Sequence, residues 1–175
     1  KKKYSNFILD RDGIINEIVL RNGKVSSPRE FGEFKFLKAS KYFLSKLVSS
    51  KKNIFIATNQ PDISRNLLEA KDLEAMHSEI NSKLNVKEIL ICPHDDYHNC
   101  SCRKPKPGMI LKIIEDYKLQ KSDTCFIGDS QKDIEAGNQA NIDSYYFKTD
   151  YNFDLSSLDL KYKEFKSFQE IIELI

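Results

Sequence analysis

The stretch Phe7-Ile8-Leu9-Asp10-Arg11-Asp12-Gly13-Ile14-Ile15-Asn16 decides how the rest of the chain is read. A short apolar run hands over to two carboxylates one residue apart, then to a glycine that lets the backbone turn sharply. The same handover recurs. Ile54-Phe55-Ile56-Ala57 stops at Thr58, Ile89-Leu90-Ile91 at Cys92, and Phe126-Ile127 at Gly128-Asp129. Between these strand-like runs, residues 41–48, 67–84, 108–119 and 132–140 carry apolar residues at three- and four-residue spacing, the signature of helices that pack on a sheet. A βαβα order predicts an α/β fold with a doubly wound, Rossmann-like parallel sheet, right-handed crossovers and helices on both faces. Ligands of such sheets sit beyond the carboxyl ends of the strands, where Asp10, Thr58 and Asp129 fall.

With 175 residues, 40% hydrophobic and 31% charged, the chain has the size and composition of one domain spanning 1–175 that needs no disulfides to stay folded. Twenty-eight Lys plus Arg against 26 Asp plus Glu leave a formal charge of +2, too balanced for a nucleic-acid or membrane-surface binder, and this points to a small substrate. No apolar run is long enough to span a membrane, and the start lacks the apolar core of a signal peptide, so a cytoplasmic monomer is expected. The Lys1-Lys2-Lys3 triplet reads as a solvated terminus. Residues 20–34 read as an irregular excursion with a hairpin through Gly23-Lys24, too short for a cap domain. His77 reads as exposed, Tyr145-Tyr146-Phe147 as sheet core, and Ser167-Phe168-Gln169-Glu170 as a capping box before a helix over 171–175.

Four polar clusters follow strand ends. A carboxylate at Asp10 can attack phosphorus, with Asp12 placed to pass a proton to the leaving oxygen and later take one from water. Thr58, Asn59 and Gln60, a hydroxyl and two amides, can hydrogen-bond phosphate oxygens without adding charge. Arg103-Lys104-Pro105-Lys106-Pro107-Gly108 brings cations to a helix start that favours anions. Asp129 and Asp133 offer oxygen ligands suited to Mg²⁺. Alone, each cluster also serves as a turn or a helix cap; in this order they assemble nucleophile, hydroxyl, cation and metal carboxylate. Because adjacent carboxylates resist simultaneous ionisation, Asp12 is expected to carry the proton while Asp10 stays ionised.

A fifth cluster is Cys92-Pro93-His94, then Cys100-Ser101-Cys102, within the loop 92–102. Three thiolates and an imidazole make a closed tetrahedral set, the structural kind of Zn²⁺ site. His98 is the alternative imidazole; His94 is preferred because its pairing with Cys92 mirrors that of Cys100 with Cys102.

Asp10-x-Asp12-Gly13, Thr58, Lys104 and Gly128-Asp129-x-x-x-Asp133 resemble, in turn, the four motifs of the haloacid dehalogenase superfamily of phosphotransferases, across about residues 5–147. The resemblance implies a capless fold of that type in which Asp10 forms an aspartyl-phosphate and Asp12 is the general acid/base. Thr58 and Lys104 bind the phosphoryl group, Asp129 holds Mg²⁺ with Asp10 and the backbone carbonyl of Asp12, and Asp133 positions Lys104 or a metal-bound water. Together with the cysteine loop, the motifs resemble the branch of histidinol-phosphate phosphatases and D-glycero-D-manno-heptose 1,7-bisphosphate 7-phosphatases. Departures are Ile14 for a usual Thr, Asn66 for a usual Gly, and Ser130 where some members have a basic residue. The short cysteine loop resembles the histidinol-phosphate enzymes. The stretches 23–25, 59–65 and 106–109 resemble the heptose enzymes, which implies a sugar bisphosphate with Arg65 and Arg103 on its second phosphate. Histidinol phosphate is the alternative substrate. A polynucleotide 3′-phosphatase or an inactive zinc-stabilised interaction module are the remoter ones.

Overall fold

The four expected strands form, and a C-terminal pair extends them. The computed structural model describes residues 2–175, with β1 (Asn6–Leu9), β2 (Val19–Arg21), β3 (Lys24–Ser26), α1 (Lys41–Ser49), β4 (Asn53–Asn59), α2 (Ala70–Leu84), β5 (Glu88–Cys92), α3 (Gly108–Asp116), β6 (Thr124–Gly128), α4 (Gln131–Ala140), β7 (Asp143–Phe147) and β8 (Lys163–Phe165). Six strands pair in the order β5-β4-β1-β6-β7-β8, every pairing parallel. Strand order reverses at β1, so the crevice beyond β1, β4 and β6 is the topological switch point where such sheets bind ligands.

Alternation along the strands explains why helices are needed on both faces. Phe7 and Leu9 point to a core shared with Phe43, Leu44 and Leu47 of α1 and Ile80 of α2. Ile8, Phe55 and Phe126 point the other way, to Ile110, Ile113 and Ala136 of α3 and α4. The strands therefore read as continuous apolar runs. A short 3-10 helix, Phe168–Leu174, closes the first face with Phe168, Ile171 and Leu174, and the expected Ser167/Glu170 capping box starts it. It begins three residues before the expected helix.

Several boundaries shift for local reasons. The helix expected from Leu67 begins at Ala70, because residues 61–66 form a turn that ends with Asn66 at φ +57°. Asparagine tolerates this left-handed conformation, which explains how it replaces the glycine usual there. The hairpin β2–β3 turns on Asn22 (φ +50°) and Gly23 (φ +72°), and Lys24 belongs to β3; two positive φ values are what a tight hairpin turn demands. Of the lysine triplet, Lys1 lies outside the described residues. Lys2 and Lys3 are exposed but anchored, Lys2 to the Asp143 carboxylate and Lys3 to the carbonyl of Ile175 at 2.8 Å. Among the described residues no helix is long and apolar enough to cross a membrane.

Candidate active site

Asp10 follows β1 directly, and its N–H donates to the carbonyl of Ile127 at 2.9 Å, continuing the ladder with β6 one residue past the strand. This pins its carboxylate at the switch point, 8% exposed. Lys104 reaches it from the loop before α3. Its ammonium is buried and donates to Asp10 Oδ1 at 2.8 Å, Asp133 Oδ1 at 2.6 Å and the Ala57 carbonyl at 2.8 Å, so all three donors are used. Burial disfavours the ammonium, but the charges of Asp10 and Asp133 outweigh it and raise its proton affinity. The other oxygen of Asp133 accepts from the backbone N–H and hydroxyl of Ser130, at 3.0 and 2.7 Å, within the capping box of α4.

Oxygens of Asp10, Asp129 and Asp133 lie within 4.8 Å of one another, an all-oxygen set of the kind hard divalent cations prefer. Both Asp133 oxygens accept hydrogen bonds, so Asp10 and Asp129, each held through one oxygen, are the freer ligands of the three; the Asp12 carboxylate is not in the group. Burial, with the charge of Asp133, pushes the Asp10 carboxyl up to about 7 against the pull of Lys104. Burial and the charges of Asp10 and Asp133 raise Asp129 as well. A cluster of this kind resists full ionisation without a cation to neutralise it.

Asp12 behaves opposite to expectation. Buried Arg11 donates to both of its oxygens, at 2.9 and 3.3 Å through one nitrogen, and Asn16 and Gln60 donate at 2.8 and 2.7 Å. Burial works against its charge, but the Arg11 guanidinium and these bonds hold its carboxyl below the ordinary range. Of these two neighbours, burial favours the protonated form at Asp10, and the ion pair favours the ionised form at Asp12. Arg11 also meets His77 Nε2 at 3.2 Å, so His77 is half-buried and not exposed as expected; burial and the Arg11 charge push it down to about 4.

Thr58 is buried and its hydroxyl accepts from Gln60 at 2.9 Å. Asn59, the neighbour expected to touch phosphate, is engaged at both ends of its amide with the backbone N–H and carbonyl of Lys104, each at 3.0 Å. In this arrangement it fixes where Lys104 starts. A cleft of about 180 Å³ is lined by Asp10, Asp12, Asn59, Lys104, Asp129 and Asp133, with Val25 of β3 and Lys132 on its rim.

The sulfurs of Cys92, Cys100 and Cys102 are 3.1–3.6 Å apart, with His94 Nδ1 at 3.6 Å from Cys92 and 3.3 Å from Cys102. A tetrahedron with metal–sulfur bonds of about 2.3 Å has edges of about 3.8 Å, so these four donors fit a zinc-sized ion. His98 stays out; its Nδ1 accepts from the backbone of Asp95 at 2.9 Å.

Arg65 and Arg103 are already paired. Arg65 bonds Asp95 at 2.5 Å and Asp62 at 3.2 Å, and Arg29 bonds the other oxygen of Asp62 at 2.7 Å. Arg103 bonds Asp96 at 2.7 Å and the His94 carbonyl at 3.1 Å, and Lys132 approaches Asp96 at 3.5 Å. These ion pairs link the segment after β3, the turn after β4 and the loop after β5.

Sequence reasoning gave no role to Asn16, and it expected the Gln60 amide to face phosphate, whereas that amide donates to Asp12 and Thr58. It missed Tyr151 and Asn152, which secure Asp129 from 22 and 23 residues downstream: Tyr151 donates to Asp129 Oδ2 at 2.6 Å and Asn152 to its carbonyl at 2.9 Å. No spacing in the sequence signals that contact.

Residues 15–147 match the family model of haloacid dehalogenase-like hydrolases. The chain is 37% identical over 134 residues to the D-glycero-beta-D-manno-heptose-1,7-bisphosphate 7-phosphatase of Neisseria meningitidis, covering 74% of this chain and 69% of that one. It is 33% identical to the protein of that name from Helicobacter pylori, over 95% of each chain. It is 32% identical to the D-glycero-alpha-D-manno-heptose-1,7-bisphosphate 7-phosphatase of Campylobacter jejuni, over 97% and 95%. Its fold superposes with a TM-score of 0.82, at 27% identity over 96% of each chain, on the crystal structure of D,D-heptose 1.7-bisphosphate phosphatase from B. bronchiseptica complexed with magnesium and phosphate. A family match over most of the chain, and relatives that align along nearly its full length, show that the chain belongs to the haloacid dehalogenase-like hydrolases.

Proposed function

We propose that the chain is a Mg²⁺-dependent phosphomonoesterase that works through an aspartyl-phosphate on Asp10 and removes the 7-phosphate of a D-glycero-D-manno-heptose 1,7-bisphosphate. The observation that carries the chemistry is the buried carboxylate at the end of β1, gripped through one oxygen by Lys104 inside an oxygen-donor cluster. Lys104 donates to Oδ1; one oxygen of Asp10 would attack phosphorus and the other would face the cation. Asp10, Asp129 and the backbone carbonyl of Asp12 would hold Mg²⁺, which when bound would supply positive charge against the phosphoryl oxygens and favour the ionised form of Asp10. Thr58 and Lys104 orient the phosphoryl group, and Asp133 keeps Lys104 in line. To serve the leaving alkoxide, Asp12 must move off Arg11, which otherwise holds it ionised, and take a proton from solvent; it gives that proton to the alkoxide, and the carboxylate so formed takes one from water when the aspartyl-phosphate is cleaved, which restores the acid.

The curated relatives and the B. bronchiseptica structure favour the heptose bisphosphate over histidinol phosphate. They carry names for both anomers, so both belong in the assay. Arg65 and Arg103 are assigned to the distal phosphate, which would compete with Asp95 and Asp96 for them. The Cys92, His94, Cys100 and Cys102 set holds a structural Zn²⁺ that fixes the loop leading into Arg103 and Lys104. We read residues 1–175 as a single phosphatase domain, acting as a monomer in the cytoplasm, where cysteines that form no disulfide, three of them in the zinc set, fit a reducing compartment.

The test is kcat/KM for the α and β heptose bisphosphates and for histidinol phosphate, measured side by side with Asp10→Asn as the control. Heptose bisphosphate should be preferred and Asp10→Asn should be inactive yet folded. A preference for histidinol phosphate overturns the substrate, and activity in Asp10→Asn overturns the mechanism.

A further inference from the structure

The turn after β7 leads the chain away from the sheet, and it also grips the Asp129 carboxylate and backbone together. Tyr151 donates its phenol to Asp129 Oδ2 at 2.6 Å. Asn152 donates to the Asp129 carbonyl at 2.9 Å and to the Phe147 carbonyl at 2.8 Å, and its own side-chain oxygen accepts from the Thr149 N–H at 3.0 Å and from Lys148 at 3.3 Å. The turn is thus tied to the root of α4 and to the strand it leaves, and the phenol is held where it is. The Gly13 backbone approaches the same place from the other side: a Cβ there would lie 2.0 Å from Asp129 Oδ2 and 2.9 Å from the phenol oxygen.

We propose that Tyr151 is a positioning residue that sets the cation preference of the site, by engaging one oxygen of Asp129 so that only the other is free to ligate. Carboxylates bind Ca²⁺ readily with both oxygens, in shells of six to eight ligands, whereas Mg²⁺ takes single oxygens in a strict octahedron and keeps several waters. A carboxylate with Oδ2 engaged by a phenol suits the second ion and handicaps the first. Hydrogen bonds from outside a ligand shell also orient the ligand, and their loss typically weakens metal affinity by about 10- to 100-fold. The inference rests on the cation site of the proposed function and is independent of the substrate.

The test uses the whole protein with Mg²⁺ or Ca²⁺ alone, in titration calorimetry without substrate. Tyr151→Phe, which keeps the ring and removes the donor, should weaken Mg²⁺ by roughly 10-fold and leave Ca²⁺ unchanged or tighter, so that the preference between them narrows. Unchanged affinities for both ions in Tyr151→Phe, with wild-type uptake of Mg²⁺ intact, overturn the proposal alone; a wild-type protein that takes up no Mg²⁺ removes the site and the proposal with it. A measurement on the unmodified chain covers the case in which the variant fails to fold. In the same calorimetry the unmodified protein should take up Mg²⁺ more tightly than Ca²⁺, and equal or tighter uptake of Ca²⁺ counts against the proposal.

Discussion

Replacing Gly13 by alanine adds one methyl group at the most crowded point of the site, and its cost divides into two parts that can be separated. The first is conformational. At φ +85° an L side chain is strained by about 1–2 kcal/mol. The second is steric. The new Cβ would lie 2.0 Å from Asp129 Oδ2 and 2.6 Å from its Cγ, where an ordinary carbon–oxygen contact needs about 3.4 Å, so roughly 1.4 Å of movement must be found; overpacking of this kind costs about 1–3 kcal/mol. Asp129 must yield, which breaks its bond to Tyr151 and moves the carboxylate proposed to ligate the cation. Displacements near 1 Å cost about 10²-fold in rate. Gly13→Ala should therefore lose about 2–5 kcal/mol in stability and about 100-fold or more in kcat/KM, with a raised Mg²⁺ requirement. Gly23→Ala isolates the first part, since Gly23 has φ +72° and open space around its Cβ position: it should lose about 1–2 kcal/mol and keep its activity. Kinetics across a Mg²⁺ titration, with urea denaturation of both variants, decide the matter. If Gly13→Ala matched Gly23→Ala in both stability and activity, the close approach of Gly13 to Asp129 would carry no functional weight.

Three further outcomes are expected. Metal analysis should find about one zinc per chain, and Cys100→Ser or Cys102→Ser should lower the melting temperature and weaken phosphate binding through Arg103 and Lys104; an unchanged melting temperature in both variants would refute a structural zinc site. His77 is held near 4 in the fold against its ordinary 6.5, so between those values the unfolded chain binds the extra proton and stability must fall as pH drops from about 6.5 towards 4. The loss is of order 2–3 kcal/mol, and His77→Gln should flatten that part of the curve; a slope of the same steepness in the variant would exclude His77 as its source. Arg11→Met leaves the Asp12 carboxylate buried with neutral donors, which should cost about 3–5 kcal/mol; denaturation within 1 kcal/mol of wild type would show that Asp12 escapes to water.

The parallel core was legible because its signal is local: apolar runs ending in polar residues at β1, β4, β5 and β6 need no knowledge of what lies across the sheet. The carboxylates were legible for the same reason, since the strands carry them to one edge. β8 was not, being three residues long with only Phe165 buried, too brief for any period to show. Nor was the state of Asp12. Proximity of two carboxylates in sequence suggested that they compete for a proton, but the neighbouring Arg11 turns inward and decides the matter. Side-chain direction after a strand end depends on what packs there, here Met76 and His77 of α2. Tyr151 was invisible because its partner is distant in sequence.

The arginines over the loops are satisfied before any substrate arrives: Arg65 by Asp95 and Asp62, Arg103 by Asp96. An anion entering there displaces a carboxylate partner of the arginine, so its net gain is a small difference between two ionic pairings. Neutral groups gain nothing from the exchange, and dianions gain most. On the proposed reading the product leaves with its distal phosphate intact, and a mouth that bound that group tightly would hold the product as firmly as the substrate. Pre-paired guanidiniums discriminate by charge while letting go quickly, which matters for a catalyst whose turnover ends with release.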